Sequence, residues 1–233
     1  MRNRFGSWLV RAAQAMFSLA CVATAAYAFA YLSMAFRAGD PFAARFAISG
    51  GDVPAHFFGA GLALLLVPLQ TSGLVRRRWP ALHRIGGLLS AAAILVGGLS
   101  GLSLAQHAQG GWVSRLGFST LSLLWIVITA NGIRLAIRGD LARHRRWMAY
   151  SIALTAGAVT LRLMLGIGAG ALQLPFMAVY VTASWASWLI NLALCAWWLR
   201  MLDRRRRLSP APANPRFGHG DADRHWASRR QRA

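Results

Sequence analysis

The chain contains no glutamate and no lysine, so its six carboxylates are all aspartates and its 26 basic side chains are all arginines. Only 14% of the 233 residues are charged, whereas 56% are hydrophobic. A soluble domain of this length carries far more charge. Several apolar runs also approach the roughly 20 residues that a helix needs to cross a bilayer. The composition therefore predicts an all-α membrane protein that crosses the bilayer several times.

The sequence also lacks the common motifs of soluble enzymes. It has no HExxH motif, no nucleotide-binding glycine loop, no credible serine or cysteine triad, and no cysteine pair at metal-binding spacing. Cys21 and Cys195 are therefore expected to be small buried apolar residues. No carboxylate falls inside an apolar run, which argues against a proton-coupled transporter, because such proteins use a titratable acid within the membrane.

Six apolar runs are long enough to form a six-transmembrane helix bundle. They are Ala12 to Phe36, Ala55 to Val75, Ile85 to Gln106, Leu116 to Ile137, Met148 to Gly170 and Ala178 to Leu199. The first run could instead be a secretory signal, because Ala26-Tyr27-Ala28 resembles a cleavage site, but its 25 residues exceed a signal core. The membrane domain would occupy residues 1–202, and the Arg- and Pro-rich residues 203–233 would form a disordered cytoplasmic tail.

The arginines are distributed unequally between the two sides of the predicted bundle. The termini and the second and fourth loops hold 22 of them, whereas only Arg37, Arg45 and Arg115 fall on the other side. Because cytoplasmic loops are enriched in basic residues, both termini are predicted to be cytoplasmic. Orientation and attraction to anionic membrane lipids explain the net charge of +20, so no nucleic-acid partner is expected.

Four histidines lie at the ends of the predicted spans. His83 and His144 fall on the cytoplasmic side, and His56 and His107 fall on the other. Neutral imidazole is an axial ligand of haem iron, and histidines on neighbouring helices can hold a haem b within a bundle. The alternative is that these rings are solvated or cap helix ends. Two hypotheses follow: a transmembrane electron carrier, or a non-redox membrane protein.

Arg162 is the single arginine inside a predicted span. Eighteen residues make five helical turns, so Arg162 and His144 are predicted to share one face. The residues between them on that face are small or polar and are expected to face the bundle interior: Ala158, Thr155, Ser151 and Met148. A buried arginine needs an anion, carbonyl oxygens or water. A haem propionate, a lipid phosphate or an inward-folding Asp52 could supply it, or the side chain could snorkel towards Gly170.

Other features of the spans predict helix packing. Gln70, Asn131 and Asn191 are expected to form interhelical hydrogen bonds. Two glycine pairs at i, i+4 spacing, Gly97 with Gly101 and Gly166 with Gly170, would allow close helix packing or the approach of a flat cofactor, and helix packing is the commoner use.

Three segments of the sequence resemble a known family. They are "LLLVPLQ" with "RRRWPALHRIGGLL" (64–89), "AQHAQGGWVSRLGFSTLSLLW" (105–125) and "HRRWMAYSIALTAGAVTLRL" (144–163). Over residues 55–200 the chain resembles the bacterial membrane-protein family called domain of unknown function 2306, whose name carries no established activity. The positions that fit its pattern are His56, Gln70, His83, Arg84, Gly87, Gly111, Phe118, Trp125, His144, Trp147, Met148 and Arg162. The resemblance supports the fold and marks Gln70, Arg84 and Trp147 as candidate site residues beside the histidines.

The arrangement is similar, more distantly, to the dihaem b-type cytochromes, which are six-span proteins with histidines near both faces. This resemblance implies haem b and a quinone or another redox partner. The fourth span has no histidine here, so a single haem between His83 and His144 is the more economical version. The alternative is a lipid- or quinone-binding protein that acts as a permease-like or accessory membrane component.

Overall fold

Helices account for the regular structure of residues 2–34 and 50–208, the part of the chain that the computed structural model describes. They are α1 (Arg2–Met34), α2 (Asp52–Thr71), α3 (Gly73–Arg78), α4 (Pro80–Ala105), α5 (Gly111–Ile137), α6 (Leu141–Thr155), α7 (Gly157–Met164), a π-helix (Leu165–Ala171) and α8 (Phe176–Leu208). Six stretches, with Leu141–Ala171 counted as one, are long and apolar enough to cross a membrane. The predicted six-span helical fold is confirmed.

The second span ends earlier than predicted, at Thr71 rather than Val75. Ser72 adopts an extended backbone (ψ 114°), and its side chain accepts a hydrogen bond from the Val75 amide, which starts the separate helix α3. Pro80 is the first residue of α4. Proline is tolerated at this position because the first amides of a helix have no intrahelical acceptor, so its missing N–H costs no hydrogen bond. As a result His83 lies within the first turn of a membrane-spanning helix rather than before it.

The last helix extends beyond the predicted span and runs to Leu208. The first six residues of the predicted disordered tail, 203–208, are therefore helical. The rest of that tail, with His219 and His225, lies outside the described residues, as does the loop that holds Arg37 and Arg45. Residues up to Ala196 belong to one compact unit, and those from Trp197 belong to a second.

The helices α2 and α4 pack through backbone contact at glycines. A Cβ atom on Gly59 would lie 2.6 Å from the Gly97 nitrogen and 2.7 Å from the Ala93 oxygen. The predicted packing role of Gly97 is confirmed. The packing role predicted for Gly166 and Gly170 is wrong, because a Cβ atom on either glycine would meet nothing within 4 Å. Both lie in the π-helix, whose i→i+5 pattern moves i, i+4 residues off a common face.

Side-chain hydrogen bonds join α5 to α6 in the interior. The indole nitrogen of Trp125 donates to the Thr155 hydroxyl at 2.9 Å, and the hydroxyls of Thr129 and Ser151 are 2.6 Å apart. Ser151 and Thr155 are buried, so the prediction that this face points into the bundle is confirmed for them. Cys21 is fully buried, as expected, whereas Cys195 is half-buried.

The fifth span is interrupted at Ala156, between α6 and α7. The Ala156 carbonyl accepts from the amide of Thr160 at 3.1 Å, as in an α-helix, and also from the amide of Val159 at 3.0 Å, so the helix is locally tightened there. His144 contacts α5 through Gly132, whereas Arg162 contacts Tyr27 of α1. His144 and Arg162 therefore contact different helices. They are eighteen residues apart along the span, so different neighbours are compatible with the predicted common face.

Candidate functional sites

The first candidate site, called the histidine pair, consists of His83 in α4 and His144 in α6. Both lie in the first turns of their helices and are half-buried. His83 lies close enough to His144 for their charges to interact. Arg76 interacts with His83 in the same way, so the pair lies at the arginine-rich end of the bundle, the end that carries Arg76–Arg78 and Arg143.

The orientation of the His144 ring follows from one hydrogen bond. Its Nδ1 atom lies 2.8 Å from the carbonyl oxygen of Gly132 in α5. Because a carbonyl oxygen only accepts hydrogen bonds, Nδ1 must carry the hydrogen, and in the neutral ring the lone pair is then on Nε2. An Nδ1–H bond to a backbone carbonyl is the support that metal-ligating histidines usually have.

His83 contributes a second imidazole with an available nitrogen. Its Nδ1 atom is buried and has no hydrogen-bond partner among the described residues. Its backbone oxygen accepts a hydrogen bond of 3.3 Å from the Gln70 amide, so the interhelical role predicted for Gln70 is confirmed. The side-chain amide of Gln70 also packs against Gly86, where a Cβ atom would lie only 2.6 Å from Nε2 of Gln70.

The remaining residues predicted near this site have other surroundings. Arg84 is exposed, and Trp147 is half-buried with its Cβ close to the Gly132 backbone. Asn131 hydrogen-bonds Arg134 of its own helix at 2.7 Å, so its predicted interhelical bond is wrong. An amide side chain can bond a long arginine one turn later without reaching another helix. Asn191 does bond across helices, as predicted, accepting from the hydroxyl of Thr160 at 3.1 Å.

The second candidate site lies at the opposite end of the bundle. His56 of α2 is half-buried, and its Nδ1 atom lies 2.8 Å from the Gly97 carbonyl of α4, which fixes the same tautomer as in His144. A Cβ on Gly101 would lie 2.9 Å from the His56 ring. His107, by contrast, is exposed in the turn after α4. The two histidines predicted on this side therefore lie in different surroundings.

Arg162 belongs to this second site, since its charge interacts with His56. Its Nη1 atom donates to the Ala158 carbonyl at 3.1 Å, and its guanidinium carbon lies 5.2 Å from the centre of the Tyr27 ring. Ala158 is one turn earlier in the chain, so the side chain turns towards the His144 end of its helix. Snorkelling towards Gly170 would require the Arg162 side chain to extend in the opposite direction along the helix, and it does not.

Asp52, one of the anions expected to neutralise Arg162, is bonded elsewhere. It is the first residue of α2, where a carboxylate interacts favourably with the helix dipole, and it accepts a hydrogen bond from Ser103 of α4. Within residues 2–34 and 50–208, no side-chain carboxylate lies within 4.0 Å of the Arg162 guanidinium. The charge of Arg162 therefore has no acidic partner in this part of the chain.

Tyr27 and Gly132 are site residues that no sequence pattern indicated. Tyr27 was noted only within a signal-like tripeptide, and its contact with Arg162 joins residues of the first and fifth spans. Gly132 contributes a backbone carbonyl, which no side-chain pattern reveals. Both depend on how the helices pack, so the sequence carries no direct signal for either.

Six apolar helices with two polar clusters between them define the chain as a polytopic α-helical membrane protein. Within that class it belongs to the family described as Predicted membrane protein (DUF2306), which matches residues 53–199. This range includes His56, Arg162 and the histidine pair, but not Tyr27. No curated protein and no solved structure matches the chain. The family prediction is confirmed, and the comparisons do not show the more distant similarity to dihaem cytochromes.

Proposed function

We propose that the protein binds one haem b between His83 and His144 and acts as an electron carrier in the membrane. The observation that carries this proposal is the ring orientation of His144. Its Nδ1–H bond to Gly132 leaves the Nε2 lone pair available as an iron ligand. A second imidazole, His83, lies on another helix within range of an electrostatic interaction. Two imidazoles on separate helices are the usual way in which a helical bundle holds haem.

The donor set favours haem over a simple metal ion. A zinc or copper ion needs three or four protein ligands, and no group of three histidine, cysteine or acidic side chains that could hold an ion occurs in the described part of the chain. Haem requires only axial ligands from the protein, because the porphyrin supplies the other four. The redox chemistry is then the one-electron ferric–ferrous change of its iron.

An absorption spectrum tests the proposal directly. The full chain, expressed with ample haem and purified in detergent, should show a low-spin b-type spectrum that sharpens on reduction with dithionite. His83→Ala and His144→Ala should each remove that spectrum, because a single axial histidine does not give the low-spin form. His107→Ala is the matched control and should leave the spectrum intact, since His107 is exposed in a turn.

Free imidazole separates loss of a ligand from loss of the fold. Added to the His83→Ala protein, it should restore the low-spin spectrum by occupying the empty axial position. A colourless wild-type protein would overturn the proposal. It would favour the non-redox alternative, an accessory or permease-like membrane protein whose histidines only pack the helix ends.

A further inference from the structure

Arg162 carries a positive charge whose partners in the described structure are neutral. Its contacts are the Ala158 carbonyl and the face of the Tyr27 ring, while its Nε atom is buried without a hydrogen-bond partner. A charged side chain inside a membrane-spanning segment costs at least about 2.5 kcal/mol, even on the most lenient insertion scale. A carbonyl and an aromatic ring reduce this cost but leave the charge unneutralised. Of the five N–H donors of the guanidinium, only one bonds an acceptor in the described part of the chain, so donors on its two terminal nitrogens remain for an anion.

The surroundings of Arg162 indicate from which direction an anion reaches it. Arg162 is itself only partly buried, and the Tyr27 ring beneath it is 56% exposed. The next residue, Leu163, is also 56% exposed, as is Ile167 one turn later at 55%. These residues belong to helices that are long and apolar enough to cross a membrane, so in a bilayer the exposed surface around Arg162 faces lipid rather than bulk water. A ligand arriving there must carry its negative charge on an apolar molecule.

We propose that Arg162 and Tyr27 form a bilayer-facing site for the phosphate of an anionic phospholipid. The guanidinium donates to the phosphate oxygens, a geometry for which its planar fork is well suited. The lipid chains lie against exposed apolar side chains of the two helices, such as Leu19 and Leu163. This site is separate from the histidine pair and does not depend on haem.

The position of Arg162 along its helix is compatible with a lipid head group. Arg162 is nine residues before the end of the span at Ala171, and the last seven of the span form a π-helix. A π-helix advances less per residue than an α-helix, so the site is closer to the end of the span than the residue count implies. Arginines at such depth commonly draw head groups and water inwards by local thinning of the bilayer.

Lipid retention tests the proposal on the full-length protein. Nanodiscs containing equal amounts of phosphatidylglycerol and phosphatidylcholine would be loaded with wild type, Arg162→Gln or Arg162→Lys, and the lipids that stay bound on transfer to detergent counted by native mass spectrometry. Wild type should retain phosphatidylglycerol preferentially. Arg162→Gln should lower that retention about tenfold, and Arg162→Lys should restore part of it, because an ammonium group lacks the planar fork.

The matched control is Arg115→Gln, which removes an exposed arginine from the same end of the bundle. It should bind lipid as wild type does, which separates the site from general attraction to a chain of net charge +20. Equal retention of both lipids by wild type, or unchanged retention in Arg162→Gln, would overturn the proposal. So would thermal stabilisation of wild type by inorganic phosphate alone, because the site would then bind free anions. The comparison of lipids on wild type stays decisive even if Arg162→Gln fails to fold.

Discussion

At both ends of the bundle a histidine bonds through Nδ1 to the carbonyl of a glycine on the adjacent helix, His144 to Gly132 and His56 to Gly97. The side chain next to each histidine differs. His144 interacts with a second histidine, His83, whereas His56 interacts with Arg162. The same local hydrogen bond therefore occurs beside two potential metal-ligating imidazoles, His83 and His144, at one end, and beside the cationic Arg162 at the other. The chemistry of each end depends on which side chain the next helix brings.

The largest expected effect concerns the orientation of these two ends in the membrane. Because 22 arginines lie on one side and three on the other, a reporter fused after Arg207 should be cytoplasmic, as should one inserted at Gly139. Reporters in the 37–54 loop or at Gln109 should be periplasmic. Alkaline phosphatase and fluorescent-protein fusions measure this, and the reverse pattern would exchange the two ends and reject the span assignment.

A smaller effect is expected when alanine replaces Gly59, which packs near His56, or Gly132, which packs near His144: the two substitutions should differ in their cost to stability. Gly59→Ala should lower the free energy of unfolding by about 1–3 kcal/mol, because the new Cβ would meet backbone atoms at 2.6 and 2.7 Å that cannot move independently. Gly132→Ala should cost less, since its nearest neighbour, at 2.7 Å, is the sulfur of Met148, a flexible side chain.

Thermal unfolding in detergent would measure both changes. Gly166→Ala serves as the control, because its Cβ would meet no atom within 4 Å, and it should be nearly neutral. Equal losses for Gly59→Ala and Gly132→Ala would mean that the two helix contacts are equally adaptable, contrary to the geometry.

The smallest predicted effect lies between the two ends, at the hydrogen bond from Trp125 to Thr155. Trp125→Phe and Thr155→Val should show a coupling of about 0.6 kcal/mol in a double-mutant cycle, the average for such bonds in membranes. The cycle also removes the separate contribution of the Thr155 bond to the Ser151 carbonyl. A coupling of zero would indicate that this bond does not join α5 to α6 energetically.

Several features of the fold could be predicted from sequence because they depend on local composition. The six spans follow from runs of apolar residues, and the burial of Ser151 and Thr155 follows from their spacing on one helix face. The interhelical bond of Gln70 was predicted in kind, because an amide within an apolar span needs a partner. The identity of its acceptor, the His83 carbonyl, could not be predicted, because many backbone carbonyls could have accepted the bond.

The errors share one physical cause. The role considered for Asp52, the interhelical bond predicted for Asn131 and the packing predicted at Gly166 and Gly170 assumed regular helices and the nearest plausible partners. Asp52 instead bonds Ser103, which is 51 residues away, and Gly166 and Gly170 lie in a π-helix. Such outcomes depend on how each helix is rotated and where it is interrupted, which local periodicity does not encode.

The sequence by itself determined that this protein has six apolar helical spans, with one arginine inside the fifth span and no carboxylate inside any of them. Apolar run length and residue type decide those features without reference to neighbours. Only the tertiary structure decided that Arg162 turns back along its helix onto Tyr27, and that His144 is oriented by the Gly132 carbonyl. Those contacts join residues from different helices, so they exist only once the helices have packed.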